Sequence, residues 1–309
     1  MPVDLSIVVP LLNEEDNIFE LYRRLRTTIE KMAVSYELIL IDDGSRDRTL
    51  EAIERIAADD PSVKFISFSR NFGHQPALFA GLEKSSGEAI VLIDGDLQDP
   101  PEIIENLYHK LKEGNDIVYA KRDERKGESW LKKTTAAIFY RIMKRITSVP
   151  IPLDTGDFSL FRRKVAVELL RMQDHRKFLR GQIAWLGFKE SQINYTRDSR
   201  KKGKSNFTYA AMFRFAFDGI TGFSNFPLKF ASISGLIVSA ISFLLIIYVL
   251  LAKLVWGATI SGWSSIMVTV LFLGGIQLLS VGIIGEYISR INEAVRNRQL
   301  YVVKKTNFP

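Results

Sequence analysis

Two long uncharged apolar runs constrain this chain more than any other feature. Residues 230–252 (FASISGLIVSAISFLLIIYVLLA) and 254–285 contain no Asp, Glu, Lys or Arg. About 20 consecutive apolar residues cross a bilayer core as a helix. Each run is long enough, whereas a buried core helix keeps a polar stripe and rarely extends this far. The expectation is two transmembrane helices within 229–288. The loop between the runs, 253–265, carries only Lys253, while 286–309 carries Arg290, Arg296, Arg298, Lys304 and Lys305. Cytoplasmic flanks are enriched in Lys and Arg. The hairpin loop is therefore expected outside, both termini in the cytosol, and 289–309 as a basic cytoplasmic tail. The start, MPVDLSIVVPLLNEED, has no basic segment ahead of its short β-branched run. It reads as a buried strand rather than a signal peptide, which keeps the large N-terminal part cytosolic.

That part, residues 1–120, alternates strand and helix patterns. Strands are expected at 5–12, 36–43, 63–68, 89–94 and 116–120, and helices at 13–32, 47–58, 75–85 and 101–112. Near-continuous apolar strands in βαβα order mean a parallel sheet covered on both faces. Ligands then sit at the carboxyl ends of the strands. Acids stand at those ends: Asp42 and Asp43 after the second strand, Asp94 and Asp96 after the fourth.

The net charge of +7 is unevenly spread, with basic excess in 122–148 and 162–204. Such patches suit nucleic acid or anionic lipid and phosphate. No nucleic-acid motif accompanies them and apolar helices follow, so a membrane surface is favoured and nucleic acid is not expected. Residues 129–146 and 206–220 are amphipathic, basic and aromatic, as suits a helix lying in a membrane interface; ordinary packing on the sheet is the other reading of both, less favoured for 206–220, which runs into the first apolar helix. The segment 206–228 is expected as a juxtamembrane helix. Cys is absent, which excludes disulfides and thiolate metal sites.

Asp94-Gly95-Asp96 is the sharpest chemical signal. Two carboxylates one residue apart at a strand end can share Mg²⁺ or Mn²⁺ with the oxygens of a diphosphate, and Gly95 is expected to let the backbone turn. Gln98 follows as a further polar contact. In Asp42-Asp43-Gly44-Ser45, with Asp47 and Thr49, Ser45 or Asp47 can cap the next helix. Capping does not explain two carboxylates ending a buried strand; such a carboxylate can accept from a base N–H or ribose hydroxyls. Pro10 with Asn13-Glu14-Glu15 ends the first strand. The three histidines, His74, His109 and His175, are too scattered to suggest a metal site, and His74 suits a substrate contact or a structural role equally.

In order and spacing, V-V-P-x-x-N-E-E, D-D-G-S-x-D-x-T and D-G-D-L-Q-D-P-P-E resemble the family-2 inverting glycosyltransferases. Within them the chain is most similar to the polyprenyl-phosphate type: dolichol-phosphate mannose synthases and bactoprenol (undecaprenyl-phosphate) glucosyltransferases. The likeness continues through Phe68 to His74, Gly156-Asp157-Phe158, Arg180-Gly181 with Trp185, and Lys202-Gly203-Lys204-Ser205. It implies an α/β GT-A fold (Rossmann-like, mostly parallel sheet) over 1–205, with interface helices and two C-terminal transmembrane helices. It implies Pro10, Leu12, Glu14 and Asp43 around the base and ribose. Asp94, Asp96 and Gln98 would hold metal and diphosphate, Asp157 would stand near the acceptor, and Arg200 and Lys204 would clamp phosphates; Asp96 and Asp157 are the candidate catalytic residues. The implied partners are a nucleotide-diphosphate sugar, UDP-glucose favoured, and a polyprenyl phosphate in the bacterial inner membrane.

The expected reaction is a single displacement with inversion at the anomeric carbon. A phosphate monoester is largely dianionic near neutral pH, with a second pKa of about 6. Asp157 is therefore read as orienting the acceptor, with base catalysis not required. GDP-mannose, UDP-N-acetylglucosamine and a modified pentose donor remain open. A processive polysaccharide synthase is disfavoured, because Gln182-Ile183-Ala184-Trp185 lacks the Arg of Q-x-x-R-W and two helices make no glycan channel. A non-catalytic translocation component is disfavoured because the apolar runs hold no ionisable group before Glu286. Gly274, Gly275, Gly282 and Gly285 permit close helix packing and hence a homo-oligomer.

Overall fold

The computed structural model describes residues 3–122, 155–172, 174, 177–196, 226–256, 262–296 and 298–308. The expected helix over 129–146, the segment 206–225, and Arg200 and Lys204 lie outside them. The elements are β1 (Leu5–Leu11), α1 (Ile18–Met32), β2 (Tyr36–Asp42), α2 (Thr49–Asp59), β3 (Val63–Phe68), α3 (His74–Lys84), β4 (Ala89–Leu92), α4 (Ile103–Lys112) and β5 (Ile117–Arg122). There follow β6 (Thr155–Arg162), α5 (Arg163–Arg171), α6 (Leu179–Leu186), β7 (Glu190–Tyr195), α7 (Phe226–Trp256), α8 (Trp263–Arg296) and β8 (Val303–Thr306).

β1 to β8, with their covering helices, form one compact unit around an eight-stranded sheet of order β7-β5-β6-β4-β1-β2-β3-β8. β3, β2, β1 and β4 run parallel, as does β7 beside β5; β6 is antiparallel to β4 and β5, and β8 is antiparallel to β3. The alternation of a strand decides which helices cover which face. Leu5, Ile7, Val9 and Leu11 of β1 join one core with Leu21 and Leu25 of α1, Ile53 of α2 and Leu107 of α4. Val8 points the other way and packs with Leu78 of α3, Val165 of α5 and Ile183 of α6. Helices on both faces explain why the central strands are apolar throughout. The mostly parallel Rossmann-like sheet expected from the sequence is what the structure has.

α7 and α8 form the second compact unit and pack against each other. They begin and end beyond the expected 229–288. An Arg290–Glu286 pair, 3.0 Å apart one turn along α8, supports the helix past its apolar part. Among the described residues one stretch, Phe272–Arg296, is long and apolar enough to cross a membrane, and Leu228–Ile241 is a shorter apolar stretch. The C-terminal residues depart most from expectation. The segment read as a basic tail returns to the first unit, where β8 becomes the edge strand beside β3.

Candidate functional site

The carboxyl ends of β1, β2 and β4 open on one edge of the sheet. β6 enters at the same edge, because it runs antiparallel to β4 with Leu92 opposite Ser159. Continuing that register brings Asp157 opposite Asp94. Three polar loops thus meet: β1–α1, β2–α2 and β4–α4.

Many polar residues of the first two motifs stitch these loops together. The backbone N–H of Asn13 donates to Ser45 Oγ (3.0 Å), and Arg46 N–H donates to Asn13 Oδ1 (2.9 Å). Glu14 N–H donates to Thr49 Oγ1 (2.8 Å), and Arg48 N–H donates to Glu15 (3.0 Å). Asn13 adopts φ 56°, a left-handed conformation that Asn tolerates better than most residues. Of the two expected caps, Ser45 is taken by Asn13, whereas Asp47 Oδ1 accepts the N–H of Thr49 at the start of α2 (3.0 Å).

The paired carboxylates after β2 are both engaged. Asp42 accepts from Ser67 Oγ (2.7 Å) and Ser45 N–H (2.9 Å). Asp43 accepts from the backbone N–H groups of Phe72 (2.7 Å) and Gly73 (3.0 Å), and so anchors the β3–α3 loop. Burial pushes the Asp43 carboxyl up, against those N–H groups. Gly44 has φ 68°, and a Cβ there would lie 2.3 Å from the Arg70 carbonyl carbon. Pro10 is buried at the end of β1, Glu14 is half-buried and Leu12 is exposed on the same edge.

Around Asp94 the structure assembles a cluster. His74, first residue of α3, places Nε2 3.1 Å from Asp157 and 3.5 Å from Asp94. Arg180 Nε donates to the other oxygen of Asp157 (2.7 Å), and Gln75 Nε2 donates to the first (3.3 Å). Burial pushes Asp157 up, but the charge of Arg180 and the hydrogen bond from His74 outweigh it and hold the carboxyl well below its usual range. Burial pulls His74 down, yet the bond to Asp157 and the charges of Asp94 and Asp157 prevail and lift it to about 9. Asp94 is raised: burial pushes it up, His74 opposes that, and Asp99, Asp157 and Asp96 add to the rise. Behind the cluster, buried Asp99 accepts from the Tyr195 hydroxyl, and Arg122 donates to that hydroxyl (3.2 Å).

Gly95 has a different role from the expected turn: it is absent from the positive-φ residues, and its Cβ would lie 2.4 Å from Leu11 Cδ2. It lets β4 pass close to β1. The turn falls on Leu97, whose φ of 59° is costly for a branched side chain. That turn leaves Asp96 and Gln98 half-exposed on either side of buried Leu97. Asp96 accepts the Gln98 N–H (3.1 Å).

The donor set fits a hard divalent cation only in part. Asp94 and Asp96 supply carboxylate oxygen and Gln98 an amide, and the Asp94 carboxylate is disfavoured by burial and by neighbouring acids, which a cation would offset. Among the described residues, no three His, Asp or Glu side chains converge to hold a metal by themselves. Further oxygens must come from substrate and water, as is common for Mg²⁺ with a diphosphate. Sequence reasoning gave Arg180 no role and missed Gln75, Arg122 and Tyr195. The motif R-G-Q around Arg180 was a signal; Tyr195 and Arg122 offered none, because their partners are distant in sequence.

A carboxylate cluster at the carboxyl edge of a doubly covered, mostly parallel sheet defines an α/β protein built to meet a polar ligand there. The family model described as Glycosyl transferase family 2 matches residues 6–170. The chain is 47% identical over 304 residues to "Uncharacterized glycosyltransferase YkcC" of Bacillus subtilis (strain 168), covering 98% of this chain and 94% of that protein. It is 41% identical over 303 residues to "Bactoprenol glucosyl transferase" of Shigella phage SfII, covering 98% of each. Among solved structures, glucosyl-3-phosphoglycerate synthase from Mycobacterium tuberculosis matches with a TM-score of 0.49 at 22% identity, over 71% of this chain and 79% of that one. The chain belongs to glycosyl transferase family 2.

Proposed function

We propose that this protein transfers a sugar with inversion from a nucleotide diphosphate to a polyprenyl phosphate at the cytoplasmic face of a bacterial membrane, with UDP-glucose as the favoured donor. The observation that carries it is His74 bridging Asp94 and Asp157 across the β4–β6 pairing, at 3.5 and 3.1 Å. It joins the carboxylate side of the site to a second buried carboxylate, whose cationic partners His74 and Arg180 are the groups that can attract an incoming phosphate. The acceptor class is supported by likeness to bactoprenol glucosyl transferases along nearly the whole chain. The membrane is supported by the apolar surfaces of α7 and α8, whose Leu236, Phe243, Val270 and Leu278 are exposed. We place two membrane-spanning helices there.

In this reading Pro10, Leu12, Glu14 and Asp43 border the base and ribose. Asp94, Asp96 and Gln98 would hold Mg²⁺ or Mn²⁺, and Arg200 and Lys204 would clamp the donor's phosphates. A divalent cation bound there would offset charge developing on the leaving diphosphate. Asp157 orients the acceptor through His74 and Arg180. Held anionic and low in pKa, it is a weak proton acceptor. An acceptor phosphate with a second pKa of about 6 needs none.

The test is purified protein in detergent with undecaprenyl phosphate, Mg²⁺ or Mn²⁺, and UDP-glucose, GDP-mannose or UDP-N-acetylglucosamine in separate reactions. Mass spectrometry reads the lipid. The expected result is a hexose-bearing lipid phosphate from UDP-glucose, lost with chelator and in Asp96→Ala. No lipid product from any donor, with nucleotide binding confirmed, overturns the acceptor assignment.

A further inference from the structure

The β3–α3 loop, Ser69 to Gly73, is central to the site yet is held from outside it. On one side Asp43 accepts the Phe72 and Gly73 N–H groups. The other side is held by residues that follow α8. Ser69 N–H donates to the Val302 carbonyl (2.9 Å). The Tyr301 ring stacks on Phe68, with centroids 4.7 Å apart and planes 18° from parallel. Phe68 meets Phe72 edge-on at 5.8 Å, and Arg70 lies 4.1 Å over the Phe72 ring. An aromatic file thus runs from Tyr301 to Phe72, the residue before Gly73 and His74.

The rest of the C-terminal segment fixes the register of that file. Asn307 accepts the Phe65 N–H (2.7 Å) and donates to the Val63 carbonyl (3.0 Å). Lys305 pairs with Glu54 (2.7 Å), and the Tyr301 hydroxyl donates to Glu83 (2.7 Å). The β3–β8 register shifts between Ser67 and Phe68. A bulge bends the strand and re-aims its side chains, and this one falls where the strand gives way to the loop.

We propose that β8 and Tyr301 are a positioning element of the active site: the chain returns from α8 to hold the β3–α3 loop so that Phe72 and Gly73 meet Asp43 and His74 meets Asp157. Tyr301 reaches the reacting groups only through Phe68 and Phe72. A displacement of about 1 Å in a positioned group can cost roughly 10²-fold in rate, so loss of the stack acts on turnover before it acts on folding.

The inference rests on the transferase reading for its kinetic arm only. In the full-length protein, Tyr301→Ala is expected to lower kcat at least about tenfold, and to speed hydrogen exchange in peptides covering Ser69–Gly73 while those from β1 and β4 stay protected. Tyr301→Phe keeps the stack without the Glu83 bond and restores both readouts. If Tyr301→Ala does not purify folded, Tyr301→Leu, which keeps bulk without the flat ring, carries the same expectation. Unchanged kcat and unchanged loop exchange overturn the inference, as does faster exchange throughout the unit, which marks a merely structural residue. If the wild-type protein transfers no sugar, the transferase reading fails and the exchange arm still decides the role of Tyr301.

Discussion

Asp157 shows how neighbours set the work a carboxylate can do. Arg180 and His74 favour its charged form, and a base whose conjugate acid is so strong takes protons poorly. Asp157→Asn is expected to lower kcat roughly 10- to 100-fold through misorientation. Without the Asp157 charge His74 titrates lower, so the alkaline limb of the rate–pH profile is expected to move to lower pH. Loss of an acid limb that the wild type shows, with no such shift, would make Asp157 the base. Arg180→Met probes the same cluster from the other side. It removes a donor from a carboxylate that keeps His74 and Gln75, and Arg180 is itself 31% exposed. The expected stability loss is about 1–3 kcal/mol in a denaturant titration. The two glycines should differ in the same assay. Gly44→Ala drives a Cβ into the Arg70 backbone at a left-handed φ and is expected to cost about 3 kcal/mol or more. Gly95→Ala meets the end of the buried Leu11 side chain and crowds the Pro10 carbonyl oxygen at 3.1 Å, and is expected to cost about 1–3 kcal/mol.

At the scale of elements, the strands with two covered faces were legible because each spells an apolar run; β1, β2, β3 and β4 lie close to their expected bounds. β8 was not legible. Its residues, VKKT, are exposed and basic, and its pairing with β3 joins segments far apart in the chain. The candidate site was readable as a set of acids at strand ends, yet their division of labour was not. Asp43 and Asn13 carry loops, and Thr49, wholly buried, does the same. Thr49 Oγ1 accepts the Glu14 N–H and donates to Asp47 (2.6 Å). Thr49→Val keeps the shape and removes both bonds. The expected cost is about 1–3 kcal/mol in stability. The β1–α1 loop also presents Leu12 and Glu14, so the KM for the nucleotide sugar should rise while kcat changes little. A fall in kcat at unchanged KM would separate this loop from donor binding.

On the scale of the whole molecule, the first unit is discontinuous in sequence: β1 to β7 precede the apolar helices and β8 follows them. This dictates how the protein can be cut. A chain ending after residue 205 lacks the Lys305–Glu54 pair, the two Asn307 bonds and the Tyr301 stack, and leaves β3 as a bare edge. Unpaired edge strands pair with other chains. That product is expected to aggregate even though every apolar helix residue is gone. Joining residue 205 to residue 298 through a Gly/Ser linker of about 30 residues gives a root-mean-square reach of roughly 30 Å. It restores β8 while still omitting α7 and α8. The linked chain is expected to be monodisperse in size-exclusion chromatography without detergent, to melt in one transition, and to bind nucleotide. It should transfer sugar poorly to a long-chain polyprenyl phosphate in vesicles, because a prenyl tail leaves a bilayer at about 0.8 kcal/mol per CH₂ and the acceptor must be met at the surface. Equal solubility of the two chains would mean that β8 contributes little to the unit. Full activity of the linked chain on vesicles would mean that the helices are not what brings the site to the lipid.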